Sequence, residues 1–199
     1  IKNVVEYCQD RLFVYYSSDA IFNGVSGNYR EDDPPDPINF YGETKLQGEL
    51  IVKTLPRFLI LRTTLLYSDQ LDSPKFIPWL IHNLSEKKKV NVATDLTTNP
   101  TLIDDLADAT LSLIRKKRQG TYHVAGASAL SCYNMALYIA KKWNFDHSLI
   151  HPVKRKDLPW KANRAENATL NIDKLKSENI TMSTFEEGIE KIKEMFINT

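Results

Sequence analysis

Tyr41 and Lys45 stand four residues apart in Phe40-Tyr41-Gly42-Glu43-Thr44-Lys45, and Ser18 follows the apolar run Phe13-Val14-Tyr15-Tyr16-Ser17. On a helix, residues at this spacing share a face, so a phenol and an ammonium become neighbours. A phenol titrates near a pKa of about 10, and a nearby fixed cation favours its anion, which makes such a pair a proton donor and acceptor closer to neutral pH. A hydroxyl from Ser18, at the end of a buried strand, completes a three-residue site. Spacing alone is weak support. Tyr138 and Lys142 repeat it inside an ordinary amphipathic helix, where a half-buried tyrosine and a solvated lysine suffice.

The elements that must hold these groups alternate between strand and helix. Ile1, Val4, Val5 and Cys8 have helical spacing, so 1–10 is expected to be the tail of a helix and the chain to begin inside it, as a piece of a longer protein would. The run 12–17 alternates little, which suits a strand buried on both faces of a parallel sheet. A long loop bearing Gly and Pro spans 19–39, a length usually tied to function in a compact chain. Asn39 can cap a helix over 41–54, and Pro56 follows its end. The apolar run 57–63 makes a second buried strand, giving a βαβ unit whose crossover should be right-handed.

Helices are expected over 74–87 and 102–117, the second with Thr101 and Asp104 as a capping box, and a short strand at 90–93 between them. A third buried strand (120–125), a helix (131–144), a short strand (149–153), a polar loop (154–168) and a short helix (171–177) follow. Ser183-x-x-Glu186 opens a terminal helix whose apolar stripe is Phe185, Ile189, Ile192 and Phe196. This alternation means an α/β fold.

With 199 residues, 42% of them hydrophobic, the chain can bury a real core. Its 26 Lys and Arg balance 25 Asp and Glu to a net charge of +1, so no global field points to nucleic acid or a membrane surface. The basic runs at 87–89 and 115–118 sit where helices should end, where cations are favoured, whereas Lys154-Arg155-Lys156 lies in a loop. Cys8 and Cys132 form no Cys-x-x-Cys pair, and no apolar run nears the ~20 residues of a membrane span, so a reducing compartment, the cytoplasm, is the expected location. The glycines form neither Gly-x-Gly-x-x-Gly nor a phosphate loop. His147 and His151 lack a third ligand nearby, so no metal is expected, and no Gly-x-Ser-x-Gly or His-Glu-x-x-His supports a hydrolase.

Six stretches in order carry a resemblance. They are Phe13 to Asp19 with Ile21-Phe22-Asn23-Gly24 and Tyr29-x-Glu31-Asp32; Pro37-Ile38-Asn39-Phe40-Tyr41-Gly42-Glu43-Thr44-Lys45-Leu46-x-Gly48-Glu49; Leu61-Arg62-Thr63-Thr64-x-x-Tyr67; Asn99-Pro100-Thr101-x-x-Asp104-Asp105-Leu106-Ala107; Gly120-Thr121-Tyr122-His123-Val124-Ala125-Gly126; and Arg164-x-x-Asn167-x-x-Leu170-Asn171. Together they closely resemble the extended short-chain dehydrogenase/reductases, and among these the dTDP-4-dehydrorhamnose reductase family, over nearly the whole chain. The resemblance implies the C-terminal part of a Rossmann-like doubly wound parallel sheet with a small α/β substrate lobe. Residues 1–70 would be what remains of the dinucleotide-binding domain and 71–199 mainly the substrate lobe, with 90–126 returning in part to the sheet. The family's first strand, glycine-rich turn and helix, which hold the pyrophosphate, find no match, so roughly 80–100 residues of one mononucleotide-binding half are expected to be absent.

The same resemblance implies a catalytic triad of Ser18, Tyr41 and Lys45 and a hydride transfer from NADP or NAD to a nucleotide-linked 4-keto sugar. Tyr41 would protonate the developing oxyanion, Lys45 would assist it and bond the nicotinamide ribose, and Ser18 would bond the carbonyl. Ser17, Tyr41, Lys45, Thr63 and Thr64 are implied at the cofactor; Ser18, Asp19, Asn99 and Arg164 at the substrate. Its partners would be that sugar and, in a homodimer, a second copy. Ala20 and Leu65 replace aromatics usual in the family near the sugar, and Ala165 replaces a proline after Arg164. Two other roles found in the same superfamily are a non-catalytic regulatory subunit like the beta subunit of methionine adenosyltransferase, and a nucleotide-sugar epimerase.

Overall fold

The computed structural model describes residues 1–8, 10–70 and 75–197, with side chains through Lys193. Strands β1 (Phe13–Ser18) and β2 (Phe58–Thr63) flank helix α2 (Phe40–Val52), and a brief helix α1 (Lys2–Val5) precedes them. Next come β3 (Leu66–Tyr67), α3 (Phe76–Ser85), β4 (Val90–Ala93), β5 (Thr97–Thr98), β6 (Thr101–Leu102) and α4 (Ile103–Arg115). The chain continues through β7 (Gly120–His123), β8 (Leu130–Ser131), α5 (Cys132–Trp143), β9 (Ile150–Val153), α6 (Asp173–Ser177) and α7 (Phe185–Ile197).

β1, β2 and β7 form a parallel sheet in that order, with Ser18 beside Thr63 and Arg62 beside His123. The unbroken apolar run of β2 is explained by its central place: Leu59, Ile60 and Leu61 are wholly buried. β1 departs from the expectation of burial on both faces. It pairs on one side only among the described residues, and Tyr16 is 43% exposed, its hydroxyl 3.0 Å from Thr110 Oγ1 of α4. One apolar cluster joins Leu59, Leu61, Leu106, Leu113 and Leu175 around this sheet. A second joins Leu80, Val92, Met135, Ile139, Ile150, Phe185 and Ile189, where β4 pairs in parallel with β9 among α3, α5 and α7.

Helix ends follow local chemistry, with three corrections. Asn39 Oδ1 accepts from Gly42 N at 2.9 Å, and Ser131 Oγ caps α5, which ends on Asn144 in the left-handed region at φ 56°. Thr101 does not cap α4. Its hydroxyl donates to Asn99 O and accepts from Gly126 N, so the expected box with Asp104 is not formed. At α7 the reciprocal pair is Thr184 and Glu187, one residue on from expectation: Thr184 N donates to Glu187 Oε2 at 2.8 Å and Glu187 N to Thr184 Oγ1 at 3.2 Å. Ser183 N is instead taken by Asp105 and Glu186 by Ser128. Phe185, Ile189 and Ile192 form the buried stripe; the Phe196 side chain lies outside those described. The first helix is also shorter than expected, with only Val5 of α1 buried.

A buried ion pair locks α2 to the sheet. Arg62 Nε and Nη2 donate to the two Glu49 oxygens at 2.9 and 2.8 Å, with the side chains 2% and 0% exposed. Arg62 Nη1 also donates to Glu31 O, and Glu31 Oε1 accepts from His123 N at 2.9 Å. No described helix is long and apolar enough to cross a membrane.

Candidate active site

The carboxyl ends of β1 and β2 and the start of α2 open into a cleft of about 620 Å³. Ligands in parallel α/β sheets bind at this end of the strands. Ser18, the last residue of β1, presents its hydroxyl at the floor, and the chain turns at once into a tight 3-10 turn, Asp19–Ile21. Tyr41 stands in the first turn of α2 on the cleft wall, 55% exposed. Gly42 behind it is required by close approach, because a Cβ there would collide with the Ala20 carbonyl oxygen. The helix start can therefore sit directly against the strand-end turn.

Lys45 lies one helical turn on. Its Nζ donates to Tyr16 O at 3.0 Å and sits 5.7 Å from the Tyr41 ring centre and 5.4 Å from that of Tyr15. The ammonium is thus pinned to the backbone of β1 beside the phenol. The Ser18 hydroxyl donates to Asp19 Oδ1 at 2.8 Å and accepts from Ala20 N at 3.2 Å. Thr64 Oγ1 donates to Asp19 Oδ2 at 2.6 Å and lies 2.6 Å from Thr98 Oγ1. Burial pushes the Asp19 carboxyl above its usual range, against the lowering effect of bonds from Thr64, Ser18 and Ala20.

The structure brings Ser18, Asp19, Tyr41, Thr64 and Arg164 to this one cleft, with Ala20 and Leu65 also on its wall. Leu65 holds φ at 35°, a left-handed backbone that a leucine adopts only under constraint. Ser17 and Thr63 do not line the cleft, and Ser17 Oγ and Thr63 Oγ1 are buried without a hydrogen-bond partner. Asn99 is not brought to the cleft. Its amide donates to Gly126 O and accepts from Leu170 N, so both ends tie backbone together.

The far wall comes from the polar loop 154–168, where the motif at Arg164 pointed to the substrate but nothing in periodicity or spacing announced Trp160. Trp160 lines the cleft with the Arg164 guanidinium 4.7 Å from its ring centre. Arg155 donates to Arg164 O and Glu166 Oε2 and holds the loop in place, while Asn167 N donates to Gly24 O at 2.8 Å. Thr98 was also missed; it is buried on a two-residue strand too short to give a pattern.

Tyr138 and Lys142 turn out as ordinary surface and core. The Tyr138 ring packs edge-on against Phe185 and its hydroxyl faces Glu190, with which Lys142 forms an ion pair. His147 is exposed and His151 lies on β9; no cluster of three His, Cys, Asp or Glu suited to a metal occurs among the described residues.

Residues 1–197 match the family described as RmlD substrate binding domain. Among curated proteins, the chain is 32% identical over 197 residues to the probable low-salt glycan biosynthesis reductase Agl14 of Haloferax volcanii, covering 95% of this chain and 66% of that one. It is 30% identical over 189 residues to the bovine methionine adenosyltransferase 2 subunit beta, covering 90% of this chain and 56% of the relative. The chain thus spans less than two thirds of the length of these relatives. Among solved structures, the dTDP-4-dehydrorhamnose reductase of Bacillus anthracis, in complex with NADP, superposes with a TM-score of 0.90 at 30% identity, covering all of this chain and 70% of that one.

Proposed function

From a chain that belongs to the RmlD substrate binding domain family, we propose the substrate-side part of an NADP- or NAD-dependent reductase that acts on a nucleotide-linked 4-keto sugar. The observation that carries this reading is the meeting of Ser18 and Tyr41 in one cleft, with Lys45 fixed one turn behind the tyrosine. Three residues from two elements converge at one end of the sheet, and that convergence supports the reading.

The chain's own groups fit the nicotinamide end of such a cofactor. Ser17 Oγ and Thr63 Oγ1 are buried and unsatisfied at the strand ends, and buried hydroxyls of this kind call for a partner. Ser17, Thr63, Thr64, Tyr41 and Lys45 are the residues that would hold it. The cofactor, when bound, supplies the hydride. Tyr41 delivers a proton to the substrate oxygen, and Lys45, held by Tyr16 O, keeps a positive charge beside the phenol as that proton leaves. Ser18 orients the carbonyl, and Arg164 with Trp160 presents a cation and an aromatic face at the outer wall, a fit for the nucleotide portion. Ala20 and Leu65 narrow the apolar side less than aromatics would, so the sugar accepted need not be the rhamnose precursor.

The test is turnover of dTDP-4-keto-6-deoxymannose and related 4-keto nucleotide sugars by the full-length protein with NADPH and NADH. Tyr41→Phe should lower kcat by about 10²- to 10⁴-fold, the range for loss of a positioned acid. Undiminished turnover in that variant would remove Tyr41 from the role.

A second reading is favoured by one observation, the 30% identity to a methionine adenosyltransferase beta subunit. In that case the protein is a non-catalytic subunit. Recovery of a methionine adenosyltransferase catalytic subunit in a stoichiometric complex, together with no turnover of any keto sugar, would select it.

A further inference from the structure

Ser18, Asp19, Thr64 and Thr98 form a single chain of hydrogen bonds along the cleft wall, linked at 2.8, 2.6 and 2.6 Å. Three hydroxyl hydrogens serve three links. An ionised carboxylate only accepts, so Ser18 and Thr64 must both donate to Asp19, and Thr98 must then donate to Thr64. No hydrogen of the three remains for a molecule in the cleft. Ser18 Oγ accepts from Ala20 N and offers the cleft a lone pair. One proton added to Asp19 Oδ1 reverses the first link. The carboxyl donates to Ser18 Oγ, both lone pairs of that oxygen are then engaged, and the Ser18 hydrogen turns outward.

We infer that Asp19 is a positioning residue: protonated, it makes Ser18 a hydrogen-bond donor to the substrate carbonyl, and ionised, it turns Ser18 into an acceptor that the carbonyl oxygen avoids. This rests on the reductase reading. The step makes and breaks only O–H bonds, and the proton comes from and returns to solvent. The surroundings of Asp19 suit it. The groups facing it from the 60s and from β5 are neutral, namely Thr64, Leu65, Thr97 and Thr98; the titratable or charged groups sharing the cleft are Tyr41 on α2 and Lys161 and Arg164 on the outer loop. Neither cation pairs with Asp19, and burial raises its carboxyl above the usual range.

The first measurement is kcat/KM against pH for the full-length protein with NADPH and its keto sugar. Wild type should fall about tenfold per pH unit above the Asp19 midpoint. In Asp19→Asn the amide nitrogen donates to Ser18 and the amide oxygen accepts from Thr64 at every pH, so this fall disappears, whatever the height of the plateau. Ser18→Ala loses the same fall, because no donor is left to switch. A wild-type-shaped fall in Asp19→Asn overturns the inference; a purely structural Asp19 would lower the plateau and leave the shape. If wild type turns over no nucleotide sugar, it is the reductase reading that fails. The hydrogen count is then read by carboxyl ¹³C NMR titration of Asp19. Ser18→Ala and Thr64→Val each remove a donor to the carboxylate and should move the midpoint up by about one pH unit. A midpoint in the ordinary aspartate range, unmoved by either, also overturns it.

Discussion

Tyr41 and Tyr138 each carry a lysine four residues on, yet only one of them shares a cleft with a strand-end serine. The difference lies in what their lysines meet: Lys45 is tied to the backbone of β1, whereas Lys142 pairs with Glu190 on α7. The residue that keeps α2 in register is Glu49. A buried guanidinium whose carboxylate is removed keeps its desolvation cost without its compensation, so Glu49→Leu should lose about 3–5 kcal/mol of unfolding free energy by chemical denaturation. The double variant Glu49→Leu/Arg62→Met should recover part of that loss, because no buried unpaired charge remains and Lys53, the other partner of Glu49, is part-exposed. A double variant as unstable as the sum of the singles would show that Arg62 acts mainly through Glu31 and His123 instead.

At the level of elements, caps and close approaches decide where the helices begin. The start of α2 is set by Asn39, a cap local enough to read from the sequence, and by the absence of a side chain at Gly42, which the approach of the Ala20 carbonyl requires. The start of α7 is set one residue later than the Ser-x-x-Glu pattern suggested, because Asp105 captures Ser183 N and so removes it from the cap. Thr184→Ala should therefore cost about 1 kcal/mol, within the 0.5–2 kcal/mol range of cap removal, and Ser183→Ala distinctly less. Equal losses in thermal unfolding would restore the original register.

At the scale of the whole molecule, His123 joins the sheet to the C-terminal segment. It is wholly buried, its Nδ1 lies 3.2 Å from Asn171 O and its Nε2 3.3 Å from Arg62 Nη1, a geometry that suits a neutral ring donating at Nδ1. Burial, reinforced by the Arg62 charge, holds its pKa down to about 3 from an ordinary 6.5. The sign follows. Below about pH 6.5 the unfolded chain takes up a proton that the folded chain refuses, so this contribution is complete above 6.5 and is lost as pH falls, at about 1.4 kcal/mol per unit. Asp19, whose carboxyl burial raises above the ordinary aspartate range, acts with the opposite sign. The difference in stability between wild type and His123→Asn, measured from pH 7 to 5, isolates the histidine. It should shrink toward acid pH, and a constant difference would mean that His123 contributes by packing alone.

Most of the fold was legible because its cues are local. Non-alternating runs gave β2 and β7, Asn39 and Pro56 bounded α2, amphipathic spacing gave α5, and the Tyr41–Lys45 spacing drew attention to the start of α2 beside the strand that ends in Ser18. What the chain order could not show is set by contacts between distant residues. The outer wall of the cleft depends on Arg155 holding the loop at Arg164 and on Asn167 N reaching Gly24 O. Asn99, in a motif that suggested substrate, spends both ends of its amide on backbone groups at Gly126 and Leu170. The hydroxyl chain through Asp19 joins the end of β1 to Thr64 and β5, residues whose meeting no spacing encodes. Sequence by itself determined the element types and set Tyr41 and Lys45 on one face of α2, since periodicity, capping and i to i+4 geometry act within a few residues. The tertiary structure alone decided which polar atoms are satisfied, which are left facing the cleft, and where protons reside, because those depend on burial and on partners brought from far along the chain.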